Sequence, residues 1–183
     1  MSYTIFDSLH PELQNRFKRV KLFLSDVDGV LTDATTLMGK GIELKKFHVM
    51  DGLGLRILME NGIQVGWISN RPSEATAARA EELGITLLSQ QRGDKILFTE
   101  DILKKTGLSW EDTCYIGDDI VDIGMFRKTP LAIAVRNAHP LLIEMADYVT
   151  IKKGGNGAIR EVCELILMAQ NKWDNLEFFK RGL

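Results

Sequence analysis

Residues 21–33 read KLFLSDVDGVLTD, an apolar run that ends in two aspartates and a glycine. Leu22, Phe23 and Leu24 have the character of a short buried strand. Alternate side chains of an extended segment share a face, so Asp26 and Asp28 stand side by side beyond its end. Two carboxylates placed so closely repel unless a cation lies between them. An Asp-Gly turn explains such a pair in isolation, so the remainder of the chain must decide. A calcium loop counted from Asp26 fails: Val30, Leu31 and Leu37 occupy the positions that require a ligand, a glycine and a glutamate.

Outward from that strand, helix and strand signals alternate. Residues 11–20 predict a short polar helix leading into it. The stretch TTLMGKGIELKKFH predicts a β-hairpin turning at Gly39-Lys40-Gly41. Asp51 is expected to cap a helix whose apolar positions Leu55, Leu58 and Met59 lie on one side. IQVGWIS (63–69), ITLLS (85–89), DTCYIGDD (112–119) and PLAIAV (130–135) read as further strands, with DYVTI (147–151) as a short edge strand. Helices are expected from near Pro72, over 93–107, toward Phe126, over 139–146 and over 157–173. Strands separated by helices pair in parallel, which gives a doubly wound, mostly parallel α/β sheet with helices on both faces.

The 183 residues suit one domain, 1–183, with a hairpin flap at about 34–47 and a tail at about 174–183. Phe178 and Phe179 in that tail call for a surface to cover them. A net charge of -2 offers no attraction to nucleic acid or an anionic membrane. No apolar stretch approaches the ~20 residues of a membrane span, and no secretory apolar region opens the chain. Cys114 and Cys163 lack metal-type spacing and read as packing thiols of a reducing cytoplasm.

In sheets of this kind ligands bind beyond the carboxyl ends of the strands. Asp26 and Asp28 end the first strand, Ser69-Asn70-Arg71 the second, and Gly117-Asp118-Asp119 the fourth, while Lys95 opens the helix after the third. Taken singly, Ser69 is explained as a helix cap, Lys95 as a solvated side chain and Asp118-Asp119 as a turn. Gathered at one edge, the carboxylates suit a hard cation such as Mg2+, and the hydroxyl, lysine and helix start suit a phosphate oxyanion.

The set D-x-D-G-V, S-N-R, Lys95 and G-D-D-x-x-D resembles the haloacid dehalogenase superfamily of phosphohydrolases, whose core is Rossmann-like. The signatures span Asp26 to Asp122, and the fold resemblance covers nearly the whole chain. It implies that Asp26 attacks phosphorus and that Asp28 protonates the leaving oxygen and then activates water. It implies that Ser69 and the following N–H hold the phosphoryl group and that Lys95 offsets its charge. A metal would be held by Asp26, the Asp28 carbonyl and Asp118, with Asp119 and Asp122 as supporting carboxylates.

Many members carry a separate cap domain, and neither 33–63 nor 71–95 has room for one. The stretches GIELKKFHVMDGLGLRIL, AHPLLIEMADYVT and GGNGAIREVCELIL are similar to one capless branch, the phosphatases of 3-deoxy-D-manno-octulosonate (KDO) 8-phosphate, a place in lipopolysaccharide core synthesis. That likeness implies substrate contacts at His48, Val49, Met50, Asp51, Gly52, Arg56, Asn70, Arg71 and Arg79, besides Asp28 and Lys95. Several arginines suit an anionic sugar acid. It places the Gly154, Gly155 and Gly157 loop and Arg160 near the subunit boundary and the substrate mouth. A site without a cap is expected to be covered by the hairpin of a neighbouring subunit, in a homotetramer. The chain departs from the pattern at Ser69-Asn70, where Thr-Gly is common, and at His48 and Met50, where Asn and Arg are. Nine-carbon sugar-acid 9-phosphates are the alternative substrates, and a non-catalytic phosphosugar-binding subunit is the alternative class.

Overall fold

The computed structural model describes residues 4–173. The expectations for the tail at 174–183, including Phe178 and Phe179, fall outside the described residues. A single helical turn, α1 (Thr4–Asp7), precedes α2 (Pro11–Arg19). Proline at the first position of α2 forfeits an N–H that has no helical partner, and the His10 ring accepts from the Glu12 N–H instead.

β1 (Leu22–Ser25) is buried along its whole length, and Leu22, Phe23 and Leu24 exclude water completely. Each such side chain contributes about 1.5–3 kcal/mol by burial. β2 (Thr36–Gly39) and β3 (Ile42–Lys45) form the expected antiparallel hairpin. α3 (Val49–Glu60), β4 (Gln64–Ser69), α4 (Glu74–Leu83), β5 (Leu87–Gln90) and α5 (Lys95–Thr106) follow. Ser73 and Asp94 cap α4 and α5 by side-chain acceptance, and Gly84 and Gly107 end them in the left-handed conformation.

β6 (Thr113–Gly117), a short 3-10 turn at Ile120–Asp122, α6 (Ile123–Lys128) and β7 (Leu131–Ala134) complete the central sheet's middle. α7 (Pro140–Met145), the two-residue edge strand β8 (Tyr148–Val149) and α8 (Ala158–Ala169) close the chain. The sheet has the order β5-β4-β1-β6-β7-β8, and every pairing in it is parallel.

This order positions the site. The chain winds outward from β1 through β4 to β5, then returns to start again at β6 on the other side of β1. The reversal lies between β1 and β6, and a crevice opens beyond their carboxyl ends. Only the hairpin lies between β1 and α3, and only α4 between β4 and β5, so no cap domain is inserted at either point.

One helix start differs from expectation. α3 begins after His48, and Asp51 lies inside its first turn instead of capping it. The Asp51 carboxylate accepts from the Arg160 N–H at 2.8 Å and from the Gly157 N–H at 3.3 Å, so it caps α8. α8 starts from a glycine, which has no side chain to do this, and a residue 109 positions earlier supplies the acceptor.

Candidate active site

Four backbone segments meet at the β1–β6 crevice. Asp26 follows β1 directly, and its N–H continues the ladder to the Ile116 carbonyl at 3.0 Å. Its carboxylate is nearly buried and lies 2.5 Å from Lys95 Nζ. Burial raises the Asp26 pKa above the usual carboxylate range, Lys95 opposes that shift, and Asp122 adds to it.

Lys95 opens α5 and is 3% exposed. Its ammonium also touches Asp122 at 2.7 Å and the Tyr115 hydroxyl at 3.1 Å. Burial pulls its pKa down, but Asp26 and Asp122 more than offset that, so the group is held above its ordinary value. Asp122, wholly buried, uses its other oxygen to accept from the N–H groups of Asp118 (3.0 Å) and Asp119 (3.4 Å). It thereby shapes the loop that presents Asp118. Asp119 turns outward and caps the Ile120 N–H at 2.8 Å.

Asp26, Asp118 and Asp122 each bring a carboxylate oxygen within 4.8 Å of the others. Among the described residues no cation pairs directly with Asp118, and its pKa is pushed up to about 8, first by burial and then by Asp26, Asp122 and Asp119, with Lys95 opposing them. A half-buried carboxyl forced toward its protonated form by neighbouring carboxylates is a place where a hard divalent cation fits. Gly29 makes the approach feasible. Its φ is +103°, and a Cβ there would lie 1.9 Å from Asp118 Oδ2, so a side chain at 29 would displace that carboxylate. Gly154 and Gly155 press against the same loop, and the Gly155 N–H donates to the Val30 carbonyl at 2.8 Å.

Ser69 ends β4, is 2% exposed, and its hydroxyl accepts from the Arg71 N–H at 3.1 Å. Arg71 reaches the flap, with Glu43 at 3.2 Å and the Thr36 hydroxyl at 2.9 Å, and stands 4.0 Å from Asp28. Among the described residues, the buried Asn70 Oδ1 and His48 Nδ1 have no hydrogen-bond partner.

Other expected substrate residues have partners within the chain or lie open at the start of α3. Asp51 is committed to α8, as described above. Arg79 pairs with Glu82 at 2.7 Å and lies against the first turn of α3, where a Cβ on Gly52 would meet its guanidinium. Val49 and Met50 are exposed at the start of α3, and Arg56 is exposed nearly two turns further along it.

Sequence reasoning missed Lys45. Its side chain is 0% exposed, and its ammonium lies 2.7 Å from Asp28 Oδ1 and 2.9 Å from Oδ2. The signal available was the alternation in Ile42-Glu43-Leu44-Lys45, which puts both charges on one face of a strand. What the sequence alone lacked was the direction in which that face turns.

The haloacid dehalogenase-like hydrolase family matches residues 84–162. The chain is 41% identical over 172 residues to the 3-deoxy-D-manno-octulosonate 8-phosphate phosphatase KdsC of Salmonella typhimurium, covering 93% of this chain and 92% of that one. The phosphatase of that name from Moraxella catarrhalis, solved with magnesium ion, phosphate ion and KDO, superposes with a TM-score of 0.89 at 40% identity, covering 95% of this chain and 100% of the other. A cobalt-bound form of the Haemophilus influenzae phosphatase gives 0.86 at 37% identity, over 90% and 97% of the two chains.

Proposed function

The chain belongs to the haloacid dehalogenase-like hydrolases, and from that premise we propose that it is a Mg2+-dependent phosphomonoesterase that hydrolyses KDO 8-phosphate to KDO and inorganic phosphate. The observation that carries the chemistry is the buried Asp26–Lys95–Asp122 chain beside Asp118, at the crevice where the strand order reverses. The substrate rests on the 41% identity that extends over 93% of the chain.

Asp26 is the nucleophile. Its Oδ attacks phosphorus in line with the ester oxygen, the P–O bond to the sugar breaks, and an aspartyl-phosphate forms. Asp28 gives a proton to the departing alkoxide, then takes one from the water that attacks the phospho-enzyme and releases phosphate. Ser69, its neighbouring N–H and Lys95 hold the phosphoryl oxygens as charge accumulates on them. Asp26, the Asp28 carbonyl and Asp118 would hold the Mg2+, with Asp122 and Asp119 fixing the loop. When bound, the ion supplies positive charge that lets these carboxylates and a phosphate share one site. Arg71, at the flap, is suited to the sugar-acid carboxylate.

The test is phosphate release from KDO 8-phosphate, a nine-carbon sugar-acid 9-phosphate and a hexose phosphate, each with Mg2+ or EDTA. Preferred turnover of the first, abolished by EDTA, is expected. Preference for the hexose phosphate would reject the substrate and leave the chemistry standing.

Asp118 gives a second, independent check. A carboxyl with a raised folded pKa binds its proton more tightly in the folded chain. Its contribution to stability is therefore complete below about pH 4 and is lost as pH rises toward about 8. The metal-free protein is expected to melt at progressively lower temperature across that window. Mg2+ should raise Tm more at the alkaline end, where it takes the proton's place. An Asp118→Asn variant whose metal-free Tm follows pH just as the parent's does would contradict the site.

The hairpin supports the quaternary proposal. Glu43 and Lys45 face inward, while Leu37, Ile42 and Leu44, which share the opposite face, are each more than half exposed. An apolar outer face on a strand pair asks for cover, and a homotetramer in which the flap closes a neighbour's site supplies it. Light scattering on the eluted protein should give the mass of four chains; a monomer would exclude this arrangement. No helix among the described residues is long and apolar enough to cross a membrane, and the enzyme is placed in the cytoplasm as part of the same proposal.

A further inference from the structure

We propose that Lys45 of the flap is a positioning residue for proton transfer, holding the Asp28 carboxyl in the orientation that both half-reactions use. The inference rests on the phosphatase reading above. Lys45 Nζ lies 2.7 Å and 2.9 Å from the two oxygens of Asp28 and donates to the Thr76 hydroxyl at 3.1 Å. Three elements are joined by this one ammonium: the β2–β3 hairpin, the loop after β1, and α4.

The rival cation near Asp28 is Arg71, at 4.0 Å, and its guanidinium is directed to Glu43 and Thr36. Asp28 is partly open on its remaining side, at 26% side-chain exposure, so one face of the carboxyl is free for substrate or water. An ammonium donates to an oxygen of the carboxylate or to the carbonyl oxygen of the protonated acid, so the contact suits either half-reaction. A wholly buried ammonium paired to one carboxylate is a weak source of stability, because apolar replacements of such pairs are often neutral or stabilising. Its yield here is geometric. A displacement of about 1 Å at a reacting group costs on the order of 10²-fold in rate.

The flap is thereby part of its own chain's reaction apparatus, besides the cover proposed for a neighbour's site. The Glu43–Ser73 hydrogen bond, at 2.6 Å, and the Glu43–Arg71 pair fix the strand that carries Lys45 onto the start of α4. Motion of the hairpin would carry Lys45, and with it the setting of Asp28.

The experiment compares two leaving groups in Lys45→Met by rapid quench of the first turnover. A sugar phosphate leaves as an alkoxide and needs the proton; p-nitrophenyl phosphate leaves as a stable phenolate and does not. First-turnover release of the sugar is expected to fall about 10²-fold, with KM little changed, while nitrophenolate release stays within about threefold of the parent. The aryl ester also reports that the variant is folded. Equal losses with both esters, or no loss with the sugar ester, would overturn the proposal. If the parent turns over a different alkyl phosphate in place of KDO 8-phosphate, the substrate reading fails, and the same comparison made on that ester still decides the role of Lys45.

Discussion

Asp26→Asn is expected to lower kcat/KM by at least about 10⁴-fold, since the amide offers no electron pair able to displace an alkoxide from phosphorus. The substitution keeps side-chain volume and leaves the backbone bond from residue 26 to Ile116 intact, so the fold should persist. Removing one of three clustered carboxylates reduces the repulsion that holds Asp118 up, so the variant should melt no lower than the parent without metal. Kinetics and thermal melts on the same sample check both halves. Activity within tenfold of the parent would mean that another group attacks phosphorus.

Lys95→Met should carry the next largest penalty, and in two currencies at once. Its ammonium is sealed between Asp26 and Asp122, with the Tyr115 hydroxyl as third partner. An apolar side chain of similar length leaves two buried carboxylates facing each other without compensation, which costs about 3–5 kcal/mol. The transferring phosphoryl group also loses a fixed positive charge, worth about 10²–10³ in kcat. Denaturant melts and steady-state kinetics should therefore both shift. A variant as stable as the parent that lost only activity would show that the Asp26–Lys95–Asp122 chain does not hold this corner of the fold together.

Both expectations depend on residues that the sequence already singled out, and the reason is physical. Asp26, Ser69, Lys95 and Asp118 each lie within a residue or two of a strand end or helix start, and parallel winding brings those points to one edge. Local pattern was enough for them. It was not enough where a partner comes from far along the chain. Asp51 reads as a cap for its own helix, yet its acceptors serve α8, and nothing local at residue 51 encodes where α8 begins. Lys45 reads as one more solvated charge on a hairpin until the hairpin folds back over α4 and buries it against Asp28. The apolar outer face of that hairpin follows from the same alternation, because Ile42 and Leu44 face away from whatever Glu43 and Lys45 approach.

Covalent phosphorylation of residue 26 is the point on which the chemistry turns. Rapid acid quench during turnover with Mg2+, borohydride reduction and peptide mass spectrometry test it, because an acyl phosphate is reduced and a free carboxylate is not. Homoserine at position 26, and at none of 28, 118, 119 or 122, is the predicted result. Steady phosphate release with residue 26 unmodified at every quench time, or reduction at a different aspartate, would contradict it.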